Sequence, residues 1–181
     1  MQPRGPLMKE HRLIERVVAL LGDELEREKS SGQADHDFIL QAAEFMRTYA
    51  DRCHHGKEED ILFRDLQEKD LSDEHQEMLQ RLLDDHAFAR EHSGALVEAT
   101  ERYAGGDGDA LGRMTECLQA LVDLYPAHIA TEDDEFFPAA MDYLDDDEQA
   151  AMLDEFREFD RELIHEKYRA AVEDLEADDE A

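Results

Sequence analysis

The sequence predicts an all-α fold, an up-down-up-down antiparallel four-helix bundle with an additional C-terminal helix. Apolar residues recur at spacings of three and four through most of the 181 residues, which places them on one face of a helix. Val, Ile and Thr nowhere alternate with polar residues over the length of a strand, so the signal for a sheet is missing. The segments marked out in this way are long and joined by short polar connections, which favours antiparallel neighbours.

The first helix starts near Leu7 and is blunted or ended by Gly22 and the SSGQ stretch from Ser30 to Gln33. The second begins near Ala34, where Asp35 can cap it, and runs to about Lys69. Asp70 to Ser72 form a turn, and Asp73 opens a third helix that ends at Ala104, before the glycine-rich GGDGD. A fourth spans Ala110 to Phe137, where Pro138, with no backbone N–H, marks a break. The acidic DDDE after Leu144 caps a fifth helix, which packs outside the bundle through Phe156, Phe159 and Leu163 and ends in a fraying EADDEA. Residues 1–144 thus read as the bundle and residues 145–181 as an appended helix and acidic tail. If that helix did not pack, Phe156 and Phe159 would be free for dimerisation, so a monomer or a homodimer is expected.

Asp and Glu number 49 against 19 Lys and Arg, a net charge of −30. Such a surplus repels phosphate, and no basic cluster offsets it, so neither nucleic acid nor an anionic membrane surface is expected as a partner. No run approaches the roughly 20 apolar residues of a membrane span, and MQPRGPLMKEH holds no apolar signal core. A soluble, cytoplasmic protein is expected. The self-repulsion is tolerable in concentrated salt, where the Debye length falls to about 3 Å at 1 M, which suggests a salt-loving host. Cys53 and Cys117 fall inside helices without a CxxC partner, so no disulfide is expected.

Function is carried by the residues that interrupt the apolar stripes, because a charged group on a buried face needs compensation. Helix one steps through Leu7, His11, Ile14, Val18, Leu21 and Leu25. Helix two gives Ile39, Ala43, Met46, Ala50, His54, Glu58 and Ile61; helix three Leu79, Leu82, His86, Ala89, Ser93 and Leu96; helix four Leu118, Leu121, Tyr125, His128 and Glu132. Every bundle helix turns a histidine inward, and two add a carboxylate one turn on. At i and i+4 these side chains are separated by about 6 Å along the axis and reach one centre or two adjacent ones. No matching set of buried Lys or Arg neutralises the carboxylates, so cations are expected to. Imidazole and carboxylate without thiolate suit iron or manganese over a Cys-type zinc site. A ferritin-like site needs ExxH on two helices; the one ExxH, Glu162 to His165, lies off the stripe.

The segments LMKEHRLIERV, CHHGKEEDILF, LDDHAFAR and HIATEDDEFFP, in this order on four helices, resemble the hemerythrin-like (HHE) cation-binding domain over roughly residues 7–144. The resemblance implies a non-heme di-iron centre, with manganese or zinc as other candidate metals. His11, His54, His86 and His128 would be terminal ligands and Glu58 and Glu132 bridges. It also implies a small-molecule partner, dioxygen or peroxide or a relative, with iron or oxygen sensing and peroxide decomposition as alternative roles. The oxygen-carrying members place two histidines four residues apart on the third helix, where this chain has Leu82 and Arg90 on either side of His86. Glu15, four residues after His11, is the best substitute for the missing imidazole. Such a carboxylate would favour the ferric state and make reversible oxygen carriage less secure. His55 and Glu59 form a second HxxxE pair, able to replace or join His54 and Glu58. Asp133 competes with Glu132, which is favoured because it continues the stripe while Asp133 is rotated about 100° away. His36, His75 and His92 read as boundary or surface residues; Tyr49 and Tyr125 fill core or line a cavity near the histidines.

Overall fold

A computed structural model of the chain describes residues 1–179, with side chains through Leu163. Where each rod begins and ends follows from local chemistry. Helix α1, Arg4–Ser31, stops at Gly32, whose φ of 69° lets its N–H return to the Glu28 carbonyl, the left-handed cap that glycine accepts without strain. The helix runs straight through Gly22. A single interior glycine costs about 1 kcal/mol, and the buried Leu21 and Leu25 outweigh it. Helix α2, residues 36–67, starts behind Asp35, whose side chain accepts the Phe38 N–H. It is α-helical over His36–Phe45, π-helical over Met46–His55 and Glu58–Phe63, and α-helical again over Arg64–Gln67.

Helix α3, Asp73–Ala104, is capped by the Ser72 hydroxyl, which accepts the His75 N–H. Helix α4 covers residues 110–141, with an α-helical Ala110–Thr131, a π-helical Glu132–Phe136 and an α-helical Phe137–Met141. The break expected at Pro138 does not occur. Pro138 enters in the first turn after the π-helical stretch, where a missing N–H leaves no bond unmade. Helix α5, Asp146–Asp179, follows Asp145, whose carboxylate accepts the N–H groups of Asp147 and Glu148. Side chains beyond Leu163, His165 and the EADDEA end among them, lie outside those described.

Helix α1 packs on α2 and α4, and α3 packs on the same two, closing a ring of four rods. The interior is divided. Ile14, Val18, Leu21, Leu25, Met46, Leu96, Leu118 and Leu121 belong to one apolar core; Leu7, Ile61, Phe63, Leu82, Phe136 and Phe137 belong to another. Each such side chain supplies about 1.5–3 kcal/mol on burial. Between the two cores runs a polar band at the height of His11, His54, His86 and His128, and these apolar blocks are what hold it away from water. Among the described residues no helix is long and apolar enough to cross a membrane.

Helix α5 lies against the π-helical parts of α2 and buries Met152 and Phe156 in the second core, so Phe156 is not free for a dimer contact. Phe159 sits directly over Gly56, where an added Cβ would lie 2.6 Å from the ring. Alanine normally stabilises a helix interior over glycine by about 1 kcal/mol, and Gly56 has an ordinary helical φ of −58°. Here the order is reversed by overpacking. Gly56→Ala is expected to destabilise the chain by about 1–3 kcal/mol, read as a lower melting temperature with faster amide exchange in residues 152–160. A Phe159→Ala background should remove the penalty.

Candidate metal centre

The π-helical stretches of α2 and α4 coincide with the polar band. An i→i+5 turn adds a residue to each turn of helix, so two successive side chains of α2, His54 and His55, both point into the bundle; each is 1% exposed. Two groups of donors result. One comprises His11, His54, Glu58 and Glu132, the other His55, His86 and His128, and within each group the donor atoms lie within 4.8 Å of one another. The carboxylates join the groups. Glu58 places Oε1 3.3 Å from Nε2 of His54 and Oε2 3.4 Å from Nε2 of His86. Glu132 places Oε2 3.1 Å from Nε2 of His11 and 3.2 Å from Nε2 of His128, with Oε1 3.9 Å from Nε2 of His86.

Behind these donors a second set of carboxylates holds the imidazoles. Nδ1 of His54 on α2 meets Glu10 of α1 at 2.9 Å, and Nδ1 of His86 on α3 meets Glu59 of α2 at 2.7 Å. Nδ1 of His128 on α4 meets Asp85 of α3 at 3.2 Å, and Nδ1 of His11 on α1 meets Asp133 of α4 at 2.7 Å. Each helix thus hands an acid to the histidine of the next, and the series closes on itself. A carboxylate on Nδ1 fixes the ring and its tautomer, leaving the Nε2 lone pair for a cation. Arg12 pairs with Asp133, Arg90 with Glu59 at 2.7 Å, and Lys57 with Glu10. Glu59 and Asp133 figure in the sequence only as candidate replacements for Glu58 and Glu132, and Glu10 and Asp85 do not stand out; the available signal for the outer role is an acid beside a stripe residue in EH, EE, DH and ED, serving a different helix from its neighbour.

The inner atoms have no hydrogen-bond partners among the described residues: Nε2 of His11, His54, His86 and His128, both nitrogens of His55, and all four oxygens of Glu58 and Glu132. Only Oε2 of Glu28, at the far end of α1, shares that condition among buried side chains described. Burial, with Glu132 opposite, pushes Glu58 well above the usual carboxylate range. Burial also acts on Glu132, yet His128, His11 and His86 hold it far below that range. Burial pulls His54 down to about 4 and, with His86 adjacent, His55 well below its ordinary value. His11 resists burial because Asp133 and Glu132 carry it up to about 9. Protons therefore supply part of the positive charge that this donor set requires. Donors about 2.0–2.2 Å from one cation lie at most about 4.4 Å apart, so small side-chain rotations let each group close on an ion. The residues fit a pair of cations with shared carboxylates.

The structure brings together six of the seven residues expected from the sequence, and Glu15 is not among them. Its carboxylate is 41% exposed and pairs with Arg12 at 3.0 Å on the outer face of α1. The fifth imidazole comes instead from His55, stacked on His86 with ring centres 3.8 Å apart. The donor set is five imidazoles and two carboxylates, which removes the premise of a carboxylate-biased ferric state. Glu59 and Asp133 stand behind His86 and His11, and do not replace Glu58 and Glu132. His75 bonds Tyr143 at 2.8 Å and His92 the Phe88 carbonyl at 2.9 Å, both away from the centre, and His36 is half-buried at the start of α2. Tyr49 stacks on Phe45, whereas Tyr125 faces His55 and lines a cavity of about 80 Å³ with Asp51, Arg90 and Ser93. Cys53 and Cys117 are unpaired.

Comparison with known proteins agrees with this geometry. A family model of the hemerythrin HHE cation-binding domain matches residues 4–140. Uncharacterized proteins of Mycobacterium tuberculosis and Mycobacterium bovis are 24% identical to the chain over 173 residues, 95% of this chain and 66% of theirs. The chain therefore spans just under two thirds of the length of those relatives. No solved structure matches it. With four histidine-bearing rods, two shared carboxylates and a family match over most of its length, the chain belongs to the hemerythrin HHE cation-binding family.

Proposed function

We propose that this is a non-heme di-iron protein that binds or reacts with dioxygen, peroxide or a related small molecule. The observation that carries the reading is the sharing of Glu58 and Glu132 between two adjacent donor groups, which suits two cations. His11 and His54 would hold one ion, and His55, His86 and His128 the other. Nitrogen and oxygen donors without thiolate favour iron or manganese, and iron bound there would supply one-electron redox chemistry. Asp133, Glu10, Glu59 and Asp85 keep the imidazoles aimed inward, and the apolar cores above and below keep bulk water out.

A small reactant is favoured by the size of the cavity of about 80 Å³ lined by Tyr125, whose ring lies 6.3 Å from that of His55. Tyr125 and Ser93 are 2% and 4% exposed, line that cavity and donate no hydrogen bond among the described residues, so their hydroxyls are available to a peroxide-sized guest. Turnover of peroxide is for that reason the second reading. Protein purified from iron-replete cells should carry about two iron atoms per chain, one for each donor group, with a ferric absorption spectrum that changes on reduction and again on adding air or peroxide. Oxygen evolution from peroxide, lost in His54→Ala, would select the second reading. Iron no higher than background would overturn both.

A further inference from the structure

Helix α5 reaches the centre through a buried lysine. Lys57 lies between the two π-helical stretches of α2 and is fully buried. Its ammonium donates to Glu10 of α1 and, at 2.8 Å, to Oδ1 of Asp160 on α5. Oε2 of Glu10 in turn meets Nδ1 of His54, whose Nε2 faces Glu58. An ammonium excluded from water is tolerated only when paired, so Lys57 ties both carboxylates into one unit. Glu10, Cys53 and Asp160 come close enough to hold an ion themselves, but the Lys57 ammonium already bonds both carboxylates there. The cations behind Asp133 and Glu59, Arg12 and Arg90, are 56% and 39% exposed. The cation behind Glu10 is buried and anchored to the appended helix.

Resting on the di-iron reading above, we propose that α5 is a working part of the centre: Asp160 is a positioning residue that acts through Lys57 and Glu10 on His54, and metal in the centre in turn holds α5 in place. A cation on Nε2 makes the Nδ1–H of an imidazole a stronger donor, which tightens Glu10 against His54 and fixes its lysine partner. Linkage requires the converse: whatever holds α5 down strengthens binding of that cation by the same factor. The group containing His54 has two imidazoles against three in the other, so misalignment of one ring matters more there.

The test uses the full chain loaded with ferrous iron. Asp160→Asn is expected to release one of the two cations to a chelator about 10-fold faster, the lower end of what an outer partner of a ligand contributes. It should also abolish an iron-dependent slowing of amide exchange in residues 152–160. Glu155→Gln is the control. It removes the Arg64–Glu155 ion pair, 2.7 and 3.0 Å, which also ties α5 to α2 but touches neither Glu10 nor His54, and it should leave iron release unchanged. Unchanged release in Asp160→Asn, or equal acceleration in both variants, would overturn the proposal. If the unmutated chain takes up no iron, the di-iron reading falls, and the positioning role is then decided on the metal-free protein. There the imidazole nitrogen resonances of His54 should shift in Asp160→Asn and not in Glu155→Gln; no shift in the former overturns it.

Discussion

His55→Ala is expected to strip one of two cations from the centre, whereas Glu15→Ala keeps both. His55 is one of three imidazoles in its group, and deleting a donor should weaken binding by more than the roughly 100-fold limit of outer-partner changes. Glu15 is an exposed partner of Arg12, and exposed ion pairs contribute about 0–1 kcal/mol to stability, so its loss should pass almost unnoticed. Metal content after desalting, with circular dichroism to confirm a folded chain, separates the two variants. A cation lost from Glu15→Ala and retained in His55→Ala would mean that the tri-imidazole group does not bind metal.

The contrast between those two residues shows what a sequence can and cannot reveal here. Four long rods, their order and their inward histidines are legible because burial imposes a period near 3.6, and His11, His54, His86 and His128 interrupt stripes that are otherwise apolar. By the same rule His55 reads only as part of a second HxxxE pair, one residue out of step with the stripe, able to replace or join His54. At 100° per residue it points away from His54, and only the longer turns of a π-helical α2 swing both rings inward. The π-helical stretch in α4 likewise carries the helix past Pro138, against the usual reading of proline as a stop. The outer role of Glu10, Glu59, Asp85 and Asp133 is illegible for a different reason. Each sits next to a stripe residue on its own helix but serves a histidine on another, and such pairing exists only once the four rods are assembled. Lys57 is concealed for both reasons, since a lysine in an acidic run reads as a solvated side chain until Glu10 and Asp160 close over it.

Metal loading should raise the melting temperature by about 8–16 °C at neutral pH. Without cations the band buries carboxylates and imidazoles at several kcal/mol each. Metal at a thousandfold excess over its dissociation constant adds about 4 kcal/mol, and each kcal/mol moves a chain of this size by about 2–4 °C. The difference should widen as pH rises from 6 to 9. Burial lowers the affinity of His11 and His86 for protons, but Asp133 and Glu132 raise the former to about 9, and Glu132 and Glu59 raise the latter above its ordinary value. A histidine held above its unfolded value of 6.5 stabilises the metal-free chain fully below that value, and the contribution fades as pH climbs through the folded one. Glu58, pushed upward by burial and by Glu132, works in the same direction, because the metal-free fold retains a proton that the unfolded chain has lost. Cations displace these protons, so apparent metal affinity should increase with pH, by up to about tenfold per unit for each proton released. Calorimetric titrations in buffers of different ionisation enthalpy would count them. A binding constant that is flat between pH 6 and 8, with no proton release, would mean that the ions do not replace the protons of His11 and Glu58 and therefore bind elsewhere on this acidic surface.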